Sequence, residues 1–236
     1  MRKLMAVVFG CLLLAAPASA QDKPVTINVG AGPLFPLSGF KDSFNTGFLG
    51  GIGATFNLSP TLGFQTEYMY NWMPGPEKTI LVSPTPGGIT SSQLIESNQN
   101  MHTLTFNAVY TAPKGNSKVG GYGLGGLGYY HRTVQLTSPA VGYTTFCDPY
   151  WYVCYPAAVP IDNILVDRSS NDFGINFGGG VTFGGDAAKF FIELRYHYVW
   201  GPKVQAQGPV VSGGPCQAEA CSTNAQYMPI TFGVRW

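Results

Sequence analysis

The run Phe190–Trp200, FFIELRYHYVW, constrains the fold more than any other stretch of the chain. Phe190, Ile192, Leu194, Tyr196, Tyr198 and Trp200 fall on one face at period two. Glu193, Arg195 and His197 fall on the other, with Phe191 and Val199 as apolar exceptions at its ends. A helix turns by 3.6 residues and would scatter these charges around its surface; a strand collects them. Thr61–Met73, TLGFQTEYMYNWM, behaves alike, with Leu62, Phe64, Tyr68, Tyr70 and Trp72 opposed to Gly63, Gln65, Glu67, Met69 and Asn71.

Six further segments read as strands: Val25–Phe35, Phe48–Leu58, His102–Tyr110, Val119–His131, Phe173–Phe183 and Tyr227–Trp236. Only the glycine-rich Val119–His131 leaves its facing open. Eight strands result, each near the ~9–11 residues of a tilted membrane strand. Their connections alternate short and long: Ser59-Pro60, Pro113–Ser117 and Gly184–Ala187 against Pro36–Gly47, Pro74–Met101, Arg132–Asp172 and Gly201–Gln226. Within Pro74–Met101, two β-prone runs flank Pro84–Gly88 and suggest a hairpin above strands three and four. Short turns on one side and long loops on the other are the pattern of an up-and-down antiparallel transmembrane barrel. Trp72, Tyr129, Tyr130 and Trp200 close upward strands and Trp236 closes the last downward one, as aromatic girdles at two membrane interfaces require.

Composition supports an all-β membrane protein. Charged residues make up 11% of the chain and aromatics 14%, whereas ordinary soluble domains carry about 25% charge. No apolar run after residue 20 reaches the roughly 20 residues of a spanning helix. Only helices and closed barrels satisfy their backbone in lipid. Arg2 and Lys3, the apolar stretch Leu4–Ala16 and the small-residue site Ala18-Ser19-Ala20 read as a signal peptide over residues 1–20, with the barrel domain at 21–236. A lipoprotein signal ending at Cys11 fits poorly, because Phe9 is bulky. Without the signal the chain keeps 11 Lys+Arg against 12 Asp+Glu, so no strong field points to nucleic acid.

A barrel of eight strands is filled by side chains. The inner face carries Glu67, Glu193, Arg195, His197 and Arg235, with Thr103, Thr105, Asn107, Asn176 and Thr182. Buried charges must be paired, so Arg195 and Arg235 are expected to bridge to Glu67 and Glu193. An ion or proton path along these residues is the functional rival. Gly30, Gly51, Gly53, Gly121, Gly123, Gly174, Gly178 and Gly180 would let the inner wall close around large side chains. Four cysteines follow the signal, and an even count in an exported chain reads as two disulfides. Local pairing, Cys147–Cys154 and Cys216–Cys221, is the expectation, with cross-loop pairing as the alternative. The spacing suits no zinc ribbon.

Other motifs are weak. Gly123–Gly128 matches G-x-G-x-x-G, but a strand-like stretch follows where a dinucleotide fold needs a helix. His102, His131 and His197 have no metal-ligand spacing. His102 at the rim with Ser97 nearby is a thin hydrolytic constellation. The aromatic-rich loop Tyr143–Tyr155 either meets a partner or sugar or caps the barrel. No catalytic, cofactor or metal site is expected.

Taken together, the signal, the strand–loop alternation, FFIELRYHYVW, GGYGLGGLGYY and the terminal MPITFGVRW make the chain resemble the eight-stranded outer-membrane barrels of the OmpA-barrel and OmpX-like group. The resemblance covers essentially the whole chain after the signal. It implies a bacterial outer-membrane location, long extracellular loops and a monomer in contact with outer-membrane lipids. It also implies that Ile230, Phe232, Val234 and Trp236 form the signal read by the barrel assembly machinery, although the group's commonest last residue is Phe. No peptidoglycan-binding domain is implied. The expected role is structural or surface-interacting, with an extracellular ligand contacted through the loops. A lipid-modifying barrel enzyme, a narrow passive channel and a soluble lipocalin-type barrel are the alternatives; apolar outer faces argue against the last.

Overall fold

The computed structural model describes residues 24–82, 91–113, 119–147, 154–185, 188–204 and 221–236. The described residues form strands β1 (Val25–Pro36), β2 (Gly47–Asn57), β3 (Leu62–Pro74), β4 (Lys78–Val82), β5 (Ser91–Thr111), β6 (Val119–Cys147), β7 (Cys154–Gly184), β8 (Lys189–Trp200), β9 (Lys203–Val204), β10 (Cys221–Ser222) and β11 (Ala225–Arg235), with one 3-10 helix, Ser38–Asp42. The signal expected over residues 1–20 lies outside the described residues.

Eight strands, β1, β2, β3, β5, β6, β7, β8 and β11, pair antiparallel with their neighbours. The first and last strands seal the barrel, from Asn28↔Arg235 to Pro36↔Tyr227. At about 3.3 Å per residue and a tilt near 45°, a 12-residue strand crosses roughly 28 Å, the thickness of a bilayer core. The alternation seen in the sequence becomes an inside and an outside. Ile52, Phe106, Leu127, Phe177 and Leu194 are exposed on the outer wall, while Gln65, Thr103, Asn107, Asn176 and Arg195 are buried within. Apolar side chains exposed around a whole barrel belong against acyl chains.

Three readings of the sequence change. Arg132–Asp172 is largely not loop: β6 and β7 continue as a ribbon up to Cys147↔Cys154, accompanied by β5 as far as Glu96↔Thr137 and two-stranded beyond it, with one register shift at Leu136/Thr137. The part above Thr133↔Ser169 runs roughly 45–50 Å at about 3.3 Å per residue. Beyond the membrane no lipid demands alternation, so ladder hydrogen bonds form there without the sequence signature. Likewise β5 begins at Ser91, and Lys78–Val82 pairs with Ser91–Ile95 as the hairpin suggested by the flanking β-prone runs. Finally, Tyr122, Leu124 and Tyr130 are buried, which sets the phase of the glycine-rich strand. Tyr130 therefore points inward rather than joining the outer girdle, and Gly121 and Gly123 lie on the outer wall.

Candidate functional site

The interior has three levels. At the end carrying the long connections, Leu34, Leu49, Met73, Met101, Val199 and Tyr227 form an apolar cluster. The segment after β1 folds over it: Phe40 and Phe44 pack at 4.9 Å between ring centroids and join the cluster. This cover is fastened on two sides, by Leu37 N–H donating to Gln226 O at 2.8 Å and Asn45 N–H donating to Pro74 O at 2.7 Å. The outer mouth is thus closed by side chains. The connection Pro36–Gly47 is a lid rather than a free loop.

The middle level is polar. Arg195 Nη1 lies 2.6 Å from Glu67 Oε2, and Arg195 Nε donates to Glu193 Oε1 at 2.9 Å, with Nη2 also on that oxygen. Tyr122 donates to the other oxygen of Glu193 at 2.8 Å. Asn28 donates to Glu67 Oε1 at 3.2 Å and accepts from Gln65 at 3.2 Å. His197 lies 2.9 Å from the Tyr130 hydroxyl through Nδ1 and stacks on Tyr227 with ring centroids 4.6 Å apart. The expectation that Arg235 would bridge a glutamate is corrected. Its guanidinium carbon sits 4.6 Å over the Tyr122 ring and 5.4 Å from the Phe191 ring, and no ion pair reaches it among the described residues. Arg195 spans both glutamates, so none is left for Arg235.

The third level, at the short-turn end, is a cavity of about 230 Å³ lined by residues that include Thr55, Thr111, Tyr122, Thr182, Lys189 and Arg235.

Other expected site residues fall as follows. Cys147 and Cys154 form a disulfide at the tip of the β6–β7 ribbon. Cys216 and the side chain of Cys221 lie outside the described residues, and with them the expected second bridge. In β11, Phe232 and Trp236 are exposed on the outer wall, with Ile230 and Val234 half-buried in the same phase. Ser97 and His102 stand on one continuous strand. Five residues apart, they face opposite sides, so they make no catalytic pair. Instead, His102 Nδ1 lies 2.7 Å from the Tyr68 hydroxyl on the outer wall. Reading Arg132–Asp172 as a loop hid one feature: a buried ion pair at the outer rim, where Arg132 Nη2 lies 2.6 Å from Asp172 Oδ2 and Nη1 donates to Thr223 O at 3.0 Å.

A closed antiparallel barrel with an apolar exterior, a paired polar interior and tight turns at one end defines a transmembrane β-barrel. The chain belongs to the family described as outer membrane protein beta-barrel domain, whose profile matches residues 6–207. Among solved structures, Neisserial surface protein A is 14% identical over 90% of this chain and 96% of its own, with a TM-score of 0.47. A major outer membrane protein of Thermus thermophilus is 13% identical over 91% of this chain and 99% of its own, with a TM-score of 0.48. The N-terminal barrel domain of OprF from Pseudomonas aeruginosa is 9% identical over 92% and 100%, with a TM-score of 0.42. No curated protein sequence matches the chain.

Proposed function

We propose that this outer-membrane barrel acts as a surface-interaction protein, presenting the β6–β7 ribbon to partners outside the cell. The observation that carries this reading is the ribbon itself. It continues far beyond the barrel rim, is closed at its tip by Cys147–Cys154, and exposes Val141, Ile161, Ile164 and Leu165. Apolar side chains displayed above a membrane are a binding surface in waiting. The barrel beneath supplies a rigid base. Its lid and its Arg195 network block the outer and middle levels of the lumen, which weighs against a passage for solutes, and the opposite facing of Ser97 and His102 on one strand weighs against a hydrolytic pair.

The test replaces residues 138–163 by a two-residue turn. The shortened protein is expected to reach the outer membrane and keep its heat-dependent gel mobility, while cells that display it lose binding to extracellular matrix and host-cell surfaces. Binding equal to that of the full chain would overturn the reading. Planar-bilayer recordings of the full chain are expected to stay silent; discrete conductance steps would favour a channel.

A further inference from the structure

We propose that the cavity at the short-turn end binds a small oxyanion, a phosphate or carboxylate group offered from the periplasmic side. The proposal is independent of the role of the ribbon, since it concerns the opposite end of the barrel. Short turns face the periplasm in outer-membrane barrels. Lys189, Arg235 and Trp236 line the cavity together with hydroxyls that include Thr55 and Thr111, and among the described residues no acidic side chain joins them.

Arg235 is presented for such a ligand. Its guanidinium carbon lies 4.6 Å over the Tyr122 ring centroid and 5.4 Å over that of Phe191. A guanidinium donates its hydrogen bonds in its own plane, along an edge that pairs Nε with one Nη. Nε and Nη2 form that edge, and both are buried without a hydrogen-bond partner. Two charged donors left buried and unmatched are costly. Side by side, they fit the two oxygens of a phosphate or carboxylate bidentately. Thr55, 4% exposed, adds a second unpartnered group, because its Oγ1 is also buried with no partner.

Arg195 answers both Glu67 and Glu193, the Tyr122 hydroxyl is committed to Glu193, and among the described residues no ion pair reaches Arg235.

The experiment uses the full mature chain refolded in zwitterionic micelles, with ¹⁵N-labelled arginine. Inorganic phosphate and acetate are titrated at constant ionic strength against chloride. The Nε resonance of Arg235 is expected to move saturably with phosphate, with a dissociation constant on the order of 1 mM. Arg195, held in its triad, should stay still. Arg235→Lys keeps the charge but loses the fork and should weaken binding roughly tenfold. Thr55→Val should weaken it severalfold with gel mobility unchanged. This variant and the wild-type resonance keep the test decisive even where Arg235→Lys fails to assemble.

A second arm compares nanodiscs of phosphatidylcholine with nanodiscs containing phosphatidylglycerol. If a lipid headgroup is the source, the Arg235 signal is already displaced in the anionic discs and added phosphate no longer titrates. If the source is soluble, the titration is alike in both. An Arg235 resonance that does not respond to phosphate and is unmoved by anionic lipid overturns the proposal, as does a response that Arg235→Lys and Thr55→Val leave unchanged.

Discussion

Glu67 and Arg195 meet at 2.6 Å across the full width of the barrel. Glu67 stands on β3 and Arg195 on β8, and three strands separate them in either direction around the wall. The pair is therefore a strut that ties opposite sides of the cylinder. Glu193 anchors its foot on β8, and Asn28 and Gln65 brace its head.

Removing the cation should expose what the strut holds. Arg195→Met leaves Glu67 and Glu193 buried without a counter-charge. Breaking a buried pair from one side costs about 3–5 kcal/mol. Urea titration in micelles, read by the heat-modifiable gel band, is expected to show that loss. A midpoint equal to wild type would mean that the wall alone carries the stability.

Gly178 and Gly121 make a matched pair. A Cβ on Gly178 would lie 2.3 Å from Leu194 O and 2.7 Å from Arg195 Cα, whereas one on Gly121 meets nothing within 4 Å. Gly178 thus lets β8 approach closely beside the strut. Gly178→Ala is expected to cost about 1–3 kcal/mol through overpacking, and Gly121→Ala to stay within about 0.5 kcal/mol. Equal effects in the same unfolding assay would sink this account of the close approach.

The lipid belt makes a depth-dependent prediction. Phe177, 57% exposed, lies on the outer wall of β7 within the barrel, while Val141, 64% exposed, lies on the ribbon above it. Lysine at the bilayer midplane of such a barrel costs roughly 2–4 kcal/mol. Phe177→Lys should show that penalty in refolding into vesicles, and Val141→Lys should show none.

The disulfide should matter to the ribbon and not to the barrel. Cys147 and Cys154 are separated by seven positions, and closing so short a loop stabilises the tip by roughly 2–3 kcal/mol in the chain-entropy account. Cys147→Ser is expected to speed proteolytic cleavage of the ribbon in intact cells while gel mobility stays unchanged. Protection equal to wild type would show that the ladder alone keeps the tip in place.

Much of this is legible in the sequence. Period-two alternation located the barrel strands, because lipid on one side and packed polar groups on the other leave a mark on every second residue. Glu67, Glu193, Arg195 and His197 could be placed inside for that reason. The glycine-rich strand was the exception. Glycine has no side chain to reveal its phase, so the sequence alone assigns Tyr130 and Gly121 to the wrong faces. The ribbon leaves no such mark above the rim, where pairing is driven by backbone hydrogen bonds and no solvent boundary imprints a pattern.

The linear chain determined which residues face in and out, and how many strands there are to close. Tertiary structure alone decided who meets whom: that Arg195 takes both glutamates, that Arg235 turns to Tyr122, and that Phe40 and Phe44 fold into a lid. Those outcomes depend on how far each strand is staggered when the sheet closes, and stagger is a property of the whole cylinder rather than of any one segment.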